Sequence, residues 1–180
     1  MDPKPWEKIS EEIKGDFRIF KIRDIVYESP RTGKEHRFYR LEGNDWINVI
    51  PITKDNEVVM VKQYRMGTET IELEVPGGIL EDNEEPEEAA IRELEEETGF
   101  RATSLEKIFS FYPTPGFCDE LLHFFYTKNL EEGEPNLEPD EDIVVEFYRL
   151  EEALEMVKSG QIADGKTLLG LLWLDWWRGR

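Results

Sequence analysis

The apolar periodicity of this chain first changes between Val75 and Pro86, from an alternation of two to the helical repeat of about 3.6. Upstream, Phe17 to Tyr27 alternates apolar and polar residues, Ser29-Pro30-Arg31-Thr32-Gly33 reads as a turn, and His36 to Leu41 returns. Residues 17–41 are therefore expected to form a hairpin. Trp46–Thr53 and Val58–Gln63 read as a second strand pair around Lys54-Asp55-Asn56, and Thr70–Val75 as a short strand running into Pro76-Gly77-Gly78. Downstream, Pro86–Thr98 places Ala89, Ala90 and Leu94 among glutamates, with Pro86 suited to a first helical turn and Gly99 to a C-terminal cap. Strands follow at Leu105–Phe111, Leu121–Thr127 and Ile143–Tyr148, then helices at Leu150–Ser159 and Thr167–Trp177. An acidic loop fills 128–142. No internal repeat or clear linker interrupts this order, which predicts an α/β layered domain around a mixed sheet.

Composition narrows the function classes. The 180 residues suffice for one hydrophobic core, and 39% apolar content is too rich for a disordered chain. With 22 Lys and Arg against 41 Asp and Glu, the net charge of −19 repels nucleic acid and anionic membranes alike. A phosphate-bearing substrate would need positive charge brought to the site, and a divalent cation is the natural source. Cys118 is the single cysteine, which excludes an internal disulfide and a four-thiolate zinc site. The N-terminus lacks the basic-then-apolar layout of a signal peptide, and no run reaches the ~20 apolar residues of a membrane span. These features point to the cytoplasm.

Chemistry concentrates on the central helix. Glu93, Glu96 and Glu97 stand at i, i+3 and i+4 and so share one face. Carboxylate oxygens are the ligands hard divalent cations prefer, and Gly77 and Gly78 would let a main-chain carbonyl approach. An acidic face can equally be merely solvated, with Arg92 paired to Glu88 and Glu96, since like charges at this spacing cost only ~0.2–0.5 kcal/mol. The wider spacing is more specific. From Gly78 through Glu84, Arg92, Glu93, Leu94, Glu96, Glu97 and Gly99 to Phe100 the chain reads G-x5-E-x7-R-E-U-x-E-E-x-G-U, with U aliphatic or aromatic. This segment resembles the Nudix box. The resemblance implies a Nudix-type α/β/α sandwich, with a mixed β-sheet and an N-terminal antiparallel hairpin, that hydrolyses nucleoside diphosphates linked to another moiety. It implies Mg²⁺ or Mn²⁺ held by Glu93 and Glu97, with Glu96 sharing a second ion, Gly77 giving a carbonyl, and Arg92 orienting the carboxylates. Glu84 would buttress the loop.

The flanks are similar to the ADP-ribose pyrophosphatase branch of that family. The matching stretches are Gln63-Tyr64-Arg65 followed by Glu72-Leu73-Glu74-Val75-Pro76-Gly77-Gly78, Tyr112 to Glu120 with Pro115 placed 15 residues after the box, and Ile162 to Thr167. By that resemblance the substrate is ADP-ribose or a related nucleoside diphosphate sugar, contacted by Arg65 and by Arg37, with Glu120 assisting. Taken alone, Arg65 would read as an ion pair with Glu69. The branch carries its general base on a loop after the box, which here corresponds to Glu138-Pro139-Asp140-Glu141-Asp142 and favours Glu141, then Glu138. It also implies a homodimer in which residues 1–43 make the contact and 44–180 form the Nudix domain. Trp46, Phe17, Phe20 and Phe38 could stack a base, although sheet packing accounts for each. The Trp173, Trp176 and Trp177 cluster reads as core or subunit contact, and His36, His123 and Cys118 carry no role. Rival readings are hydrolysis of a GDP-sugar, a dinucleotide or an oxidised nucleoside triphosphate, and a non-catalytic ADP-ribose sensor. A calcium-binding protein is disfavoured because no EF-hand spacing occurs.

Overall fold

A computed structural model describes residues 2–139 and 141–179, and Asp140 of the acidic loop lies outside them. The chain divides into two compact units, Met1–Asp45 with Phe111–Leu122, and Trp46–Ser110 with His123–Arg180. In the first unit β1 (Glu7–Phe17), β2 (Phe20–Glu28) and β3 (Glu35–Gly43) form an antiparallel sheet in that order. The expected β2–β3 hairpin is present, paired from Phe20 opposite Gly43 to Glu28 opposite Glu35. Phe17, however, closes a preceding strand instead of opening this one. Arg18 takes a positive φ of 37°, and the Phe17 and Phe20 rings meet across the turn at 5.4 Å. β1 escapes a periodicity reading because Glu, Lys, Ser and Asp dominate it and two register shifts break its alternation. Leu41 pairs with the 111–122 segment through its N–H to the Phe117 carbonyl at 2.8 Å.

The second unit holds three sheets. β11 (Ile143–Arg149), β5 (Glu57–Arg65) and β6 (Thr70–Glu74) are antiparallel in that order; β4 (Trp46–Pro51), β9 (Leu122–Thr127) and β8 (Glu106–Phe111) make another. The short β10 (Leu130–Glu132) pairs with β7 (Phe100–Ala102), so the acidic loop begins with a strand. The expected pairing of Trp46–Thr53 with Val58–Gln63 is corrected. Thr53 and Glu57 do close a turn, with Asn56 at φ 67°, but among the described residues the two strands pair through the Ile52–Val58 bridge alone before entering different sheets. Both strands are buried through their apolar runs, and such core strands need neighbours on either side that sequence adjacency does not supply.

Helix α1 (Pro86–Thr98) follows from local rules. Glu88 accepts a hydrogen bond from the Glu85 N–H, Pro86 opens the first turn, and Gly99 closes it in the left-handed conformation. Its inner face places Ala89, Ala90 and Leu94 against Ile47, Val49, Ala102 and Phe125, all at most 3% exposed. Helices α2 (Leu150–Ser159) and α3 (Gly165–Arg178) end the chain; Asp164 caps α3 by accepting from the Thr167 N–H at 2.8 Å. Trp173 and Trp177 stack at 5.7 Å, while Trp176 is exposed. No helix among the described residues is long and apolar enough to cross a membrane.

Candidate active site

The site is built where β6 turns toward α1. The Val49 N–H donates to the Pro76 carbonyl and the Ile47 N–H to the Gly78 carbonyl, each at 2.9 Å. The Asn48 side-chain amide donates to the Val75 and Pro76 carbonyls, and the Val75 N–H donates to the Thr167 hydroxyl at 2.9 Å. Strand alternation thus consumes the carbonyls on either side of Gly77 and leaves the Gly77 carbonyl without a hydrogen bond among the described residues. Neither glycine tolerates a side chain at rest. A Cβ on Gly77 would lie 2.2 Å from the Ile47 carbonyl oxygen, and one on Gly78 would lie 2.4 Å from the Glu93 carboxyl carbon.

The box carboxylates face this turn. Glu97, 3% exposed, accepts the Gly77 N–H at 2.9 Å through Oε2. Burial pushes its carboxyl up to about 8; the Gly77 N–H pulls it down, and the charges of Glu93 and Glu141 raise it further. Glu93 is also raised, again chiefly by burial. Arg92 pairs with Glu96, and with Glu84 and Glu93 in place of Glu88. Its Nε and Nη2 hold Glu84 at 2.8 and 3.0 Å, Nη2 also meets the Ile79 carbonyl at 3.2 Å, and Nη1 donates to Glu93 at 2.8 Å and Glu96 at 3.0 Å. Glu84 accepts the Glu81 N–H as well, so it braces the loop.

Each of the three box carboxylates therefore spends one oxygen on the protein. Glu93 Oε2, Glu96 Oε1 and Glu97 Oε1 carry no hydrogen bond among the described residues. Three such oxygens and a free carbonyl are the hard donors that a divalent cation takes. Among the described residues no three acidic side chains already converge into a coordination sphere, and Glu93 and Glu96 are each paired with Arg92. The donor set fits a metal that draws these oxygens together.

The remaining expected residues fall in different places. Glu141 lies close enough for its charge to reach Glu93 and Glu97, and its Oε2 accepts the Glu138 N–H at 2.8 Å. Glu138 is exposed and gives that loop its backbone contacts. Arg65 pairs with Glu74, not Glu69, through Nε at 2.6 Å and Nη2 at 2.8 Å, and its charge is felt at Glu97. Arg37 and Glu120 belong to the first unit: Arg37 is exposed and meets buried Asp24 at 3.2 Å, while Glu120 lies over Gly43 and contacts Cys118. Sequence reasoning passed over Asn48, Glu74 and Thr167. Asn48 had a signal, being the one amide inside the apolar run Trp46–Pro51; Thr167 lay in the matching stretch Ile162–Thr167, but nothing there pointed to Val75.

Carboxylates along a capped helix, an arginine paired with two of them and a glycine turn hydrogen-bonded to a third make a donor set of the kind that divalent-metal hydrolases use. Residues 45–169 match the NUDIX domain family. The ADP-ribose pyrophosphatase of Bacillus subtilis (strain 168) is 44% identical over 159 residues, covering 86% of each chain. The methanol dehydrogenase activator of Bacillus methanolicus is 42% identical over 162 residues, 88% of this chain and 86% of that one. The GDP-mannose pyrophosphatase of Escherichia coli (strain K12) is 36% identical over 180 residues, covering 93% of both. A solved structure described as an ADP compounds hydrolase superposes with a TM-score of 0.88 over 98% of this chain and 96% of its own, at 20% identity, and shows the same fold. The chain belongs to the Nudix family, as a pyrophosphohydrolase.

Proposed function

We propose that this protein hydrolyses the diphosphate of ADP-ribose or a related nucleoside diphosphate sugar, giving AMP, or the corresponding nucleoside monophosphate, and a sugar phosphate. The observation that carries the reading is the set of three box carboxylates, each with one oxygen unspent among the described residues, next to Gly77, whose N–H Glu97 accepts. The relative named an ADP-ribose pyrophosphatase supports ADP-ribose as the lead substrate. Mg²⁺ or Mn²⁺ would be held by Glu93, Glu96, Glu97 and Gly77. When bound, such a cation neutralises diphosphate charge and lowers the pKa of water.

The chain's own residues do the rest. Glu141 accepts the proton of the attacking water, Arg65 holds the diphosphate oxygens, and Arg92 keeps Glu93 and Glu96 turned toward the site. Water adds to one phosphorus as the bond to the bridging oxygen breaks, and the sugar phosphate leaves with that oxygen. Arg37 and Glu120 are further substrate contacts in this reading. The net charge of −19 supports a small anionic substrate brought in by metal and opposes a nucleic-acid partner. A homodimer joined through residues 1–43, acting in the cytoplasm, completes the proposal.

A GDP-sugar is the second reading, favoured by the relative named a GDP-mannose pyrophosphatase. The test is AMP release from ADP-ribose with Mg²⁺, beside GMP release from GDP-mannose, for the native protein and Glu97→Gln. Native turnover of ADP-ribose, cut at least about a thousandfold by the substitution, is expected from the loss of a ligand worth several kcal/mol in the transition state. Faster turnover of GDP-mannose would select the second reading. Binding of ADP-ribose with no turnover of either compound would mark a sensor and overturn both.

A further inference from the structure

Glu74, the last residue of β6, is a carboxylate at 2% exposure. A charge so buried is tolerated only with close compensation, and here two cations supply it. Arg65 grips it by the Nε–Nη2 edge at 2.6 and 2.8 Å, and the Lys166 ammonium lies 3.8 Å from Oε2, itself tied to Asp164 at 2.5 Å. The Arg65 partnership is not the one strand register would favour. Gln63 stands opposite Glu72 and Val61 opposite Glu74, so Glu72 is the nearer carboxylate along the ladder. Glu72 is instead taken by the Thr70 hydroxyl at 2.6 Å, and Arg65 reaches past it, back along the sheet. Glu74 stands three residues before Gly77, whose N–H donates to Glu97 at 2.9 Å, so that reach turns the guanidinium along the strand toward the glycine turn and leaves Nη1 with no protein acceptor among the described residues. The side chain keeps 38% exposure, so this edge is open to a ligand.

We propose that Glu74 is a positioning residue, which fixes Arg65 by two of its nitrogens so that Nη1 is held ready for a diphosphate beside the box carboxylates. The inference rests on the diphosphate-hydrolase reading above and adds a residue to it. Glu74 touches neither substrate nor metal; it acts through Arg65. A guanidinium pinned by two parallel hydrogen bonds loses its rotamer freedom before the substrate arrives, so binding need not order it.

The experiment compares native protein, Glu74→Gln, Arg65→Ala and the double variant. It reads KM and kcat for ADP-ribose, ADP affinity by calorimetry, and the Mg²⁺ concentration for half-maximal activity. Losing one charge-assisted hydrogen bond at the substrate is expected to raise KM and weaken ADP about tenfold in Glu74→Gln, with kcat and the metal requirement changed less than about threefold. In the Arg65→Ala background, Glu74→Gln should add nothing. Should Glu74→Gln fail to fold, Glu74→Asp, which keeps the charge and withdraws it by one methylene, is read the same way. The inference is overturned if Glu74→Gln leaves ADP affinity unchanged, or weakens it by the same factor with and without Arg65. A native protein that binds ADP but turns over no nucleoside diphosphate sugar would defeat the substrate reading alone, and the ADP affinities would still decide the role of Glu74.

Discussion

Gly77 and Gly78 are adjacent, yet the same substitution should have opposite consequences at each. An added methyl on Gly77 meets backbone, the Ile47 carbonyl oxygen at 2.2 Å and the Asn48 Cα at 2.9 Å, and a strand cannot retreat from it cheaply. Gly77→Ala should therefore lose about 1–3 kcal/mol of stability, seen in denaturant melts, together with most activity. On Gly78 the methyl meets only the end of the Glu93 side chain, which can swing aside. Gly78→Ala should fold with a melting temperature near native and need more Mg²⁺ for half-maximal rate. Equal damage to both properties in both variants would refute the distinction. At this scale the box was legible in sequence because Glu84, Arg92, Glu93, Glu96 and Glu97 lie on one loop and one helix, where spacing dictates neighbours. Glu74 was not, since nothing local distinguishes it from Glu72 on the same strand face.

At the scale of elements, α1 both carries the box carboxylates and forms a wall of the core. Leu94 has no exposure and sits between the Arg92–Glu93 pair and Glu96, its side chain inward where theirs point out. Leu94→Ala should destabilise the protein by about 2–5 kcal/mol, the usual cost of a large-to-small change in a packed core. Thermal melts with and without Mg²⁺ would check it, and activity below the lowered melting point should survive. A loss under 1 kcal/mol would mean that the helix is not anchored through this residue. Helix α1 could be bounded from sequence because its proline and its glycine cap are local instructions. Strand β1 could not, for its residues are polar and its partner β2 alone makes it a strand. The same holds for β4 and β5, where a genuine turn hid the fact that the two strands serve different sheets.

For the molecule as a whole, metal and pH should act on stability through one group. The folded, metal-free protein holds the Glu97 carboxyl up to about 8 against an ordinary 4.5, so it keeps a proton that the unfolded chain releases between those values. The stability this contributes is full below about pH 4.5 and is lost as pH rises toward about 8. Chelated native protein should accordingly melt progressively lower than Glu97→Gln as pH is raised through that window. Saturating Mg²⁺ should remove the decline, because a cation replaces the proton and stabilises the folded state by mass action. Parallel melting curves for the two chelated proteins would show that Glu97 does not govern the effect.

Apart from β1, β7 and β10, the strands and helices, the acidic helix with its caps, and the box with its arginine are written within short stretches of chain, because helical spacing and turn chemistry act over a few residues. That is why the fold class and the clustering of the box carboxylates are legible in the sequence. Among the described residues the Gly77 carbonyl, by contrast, has no hydrogen bond because two β4 amides claim its neighbours, and Glu74 is set apart from Glu72 by Arg65 and Lys166. The turn itself is held by Asn48 and Thr167, the latter separated from Val75 by 92 residues. Contacts of that range depend on which strands become neighbours, and burial, which lifts Glu97 to about 8, exists only once the layers close over it.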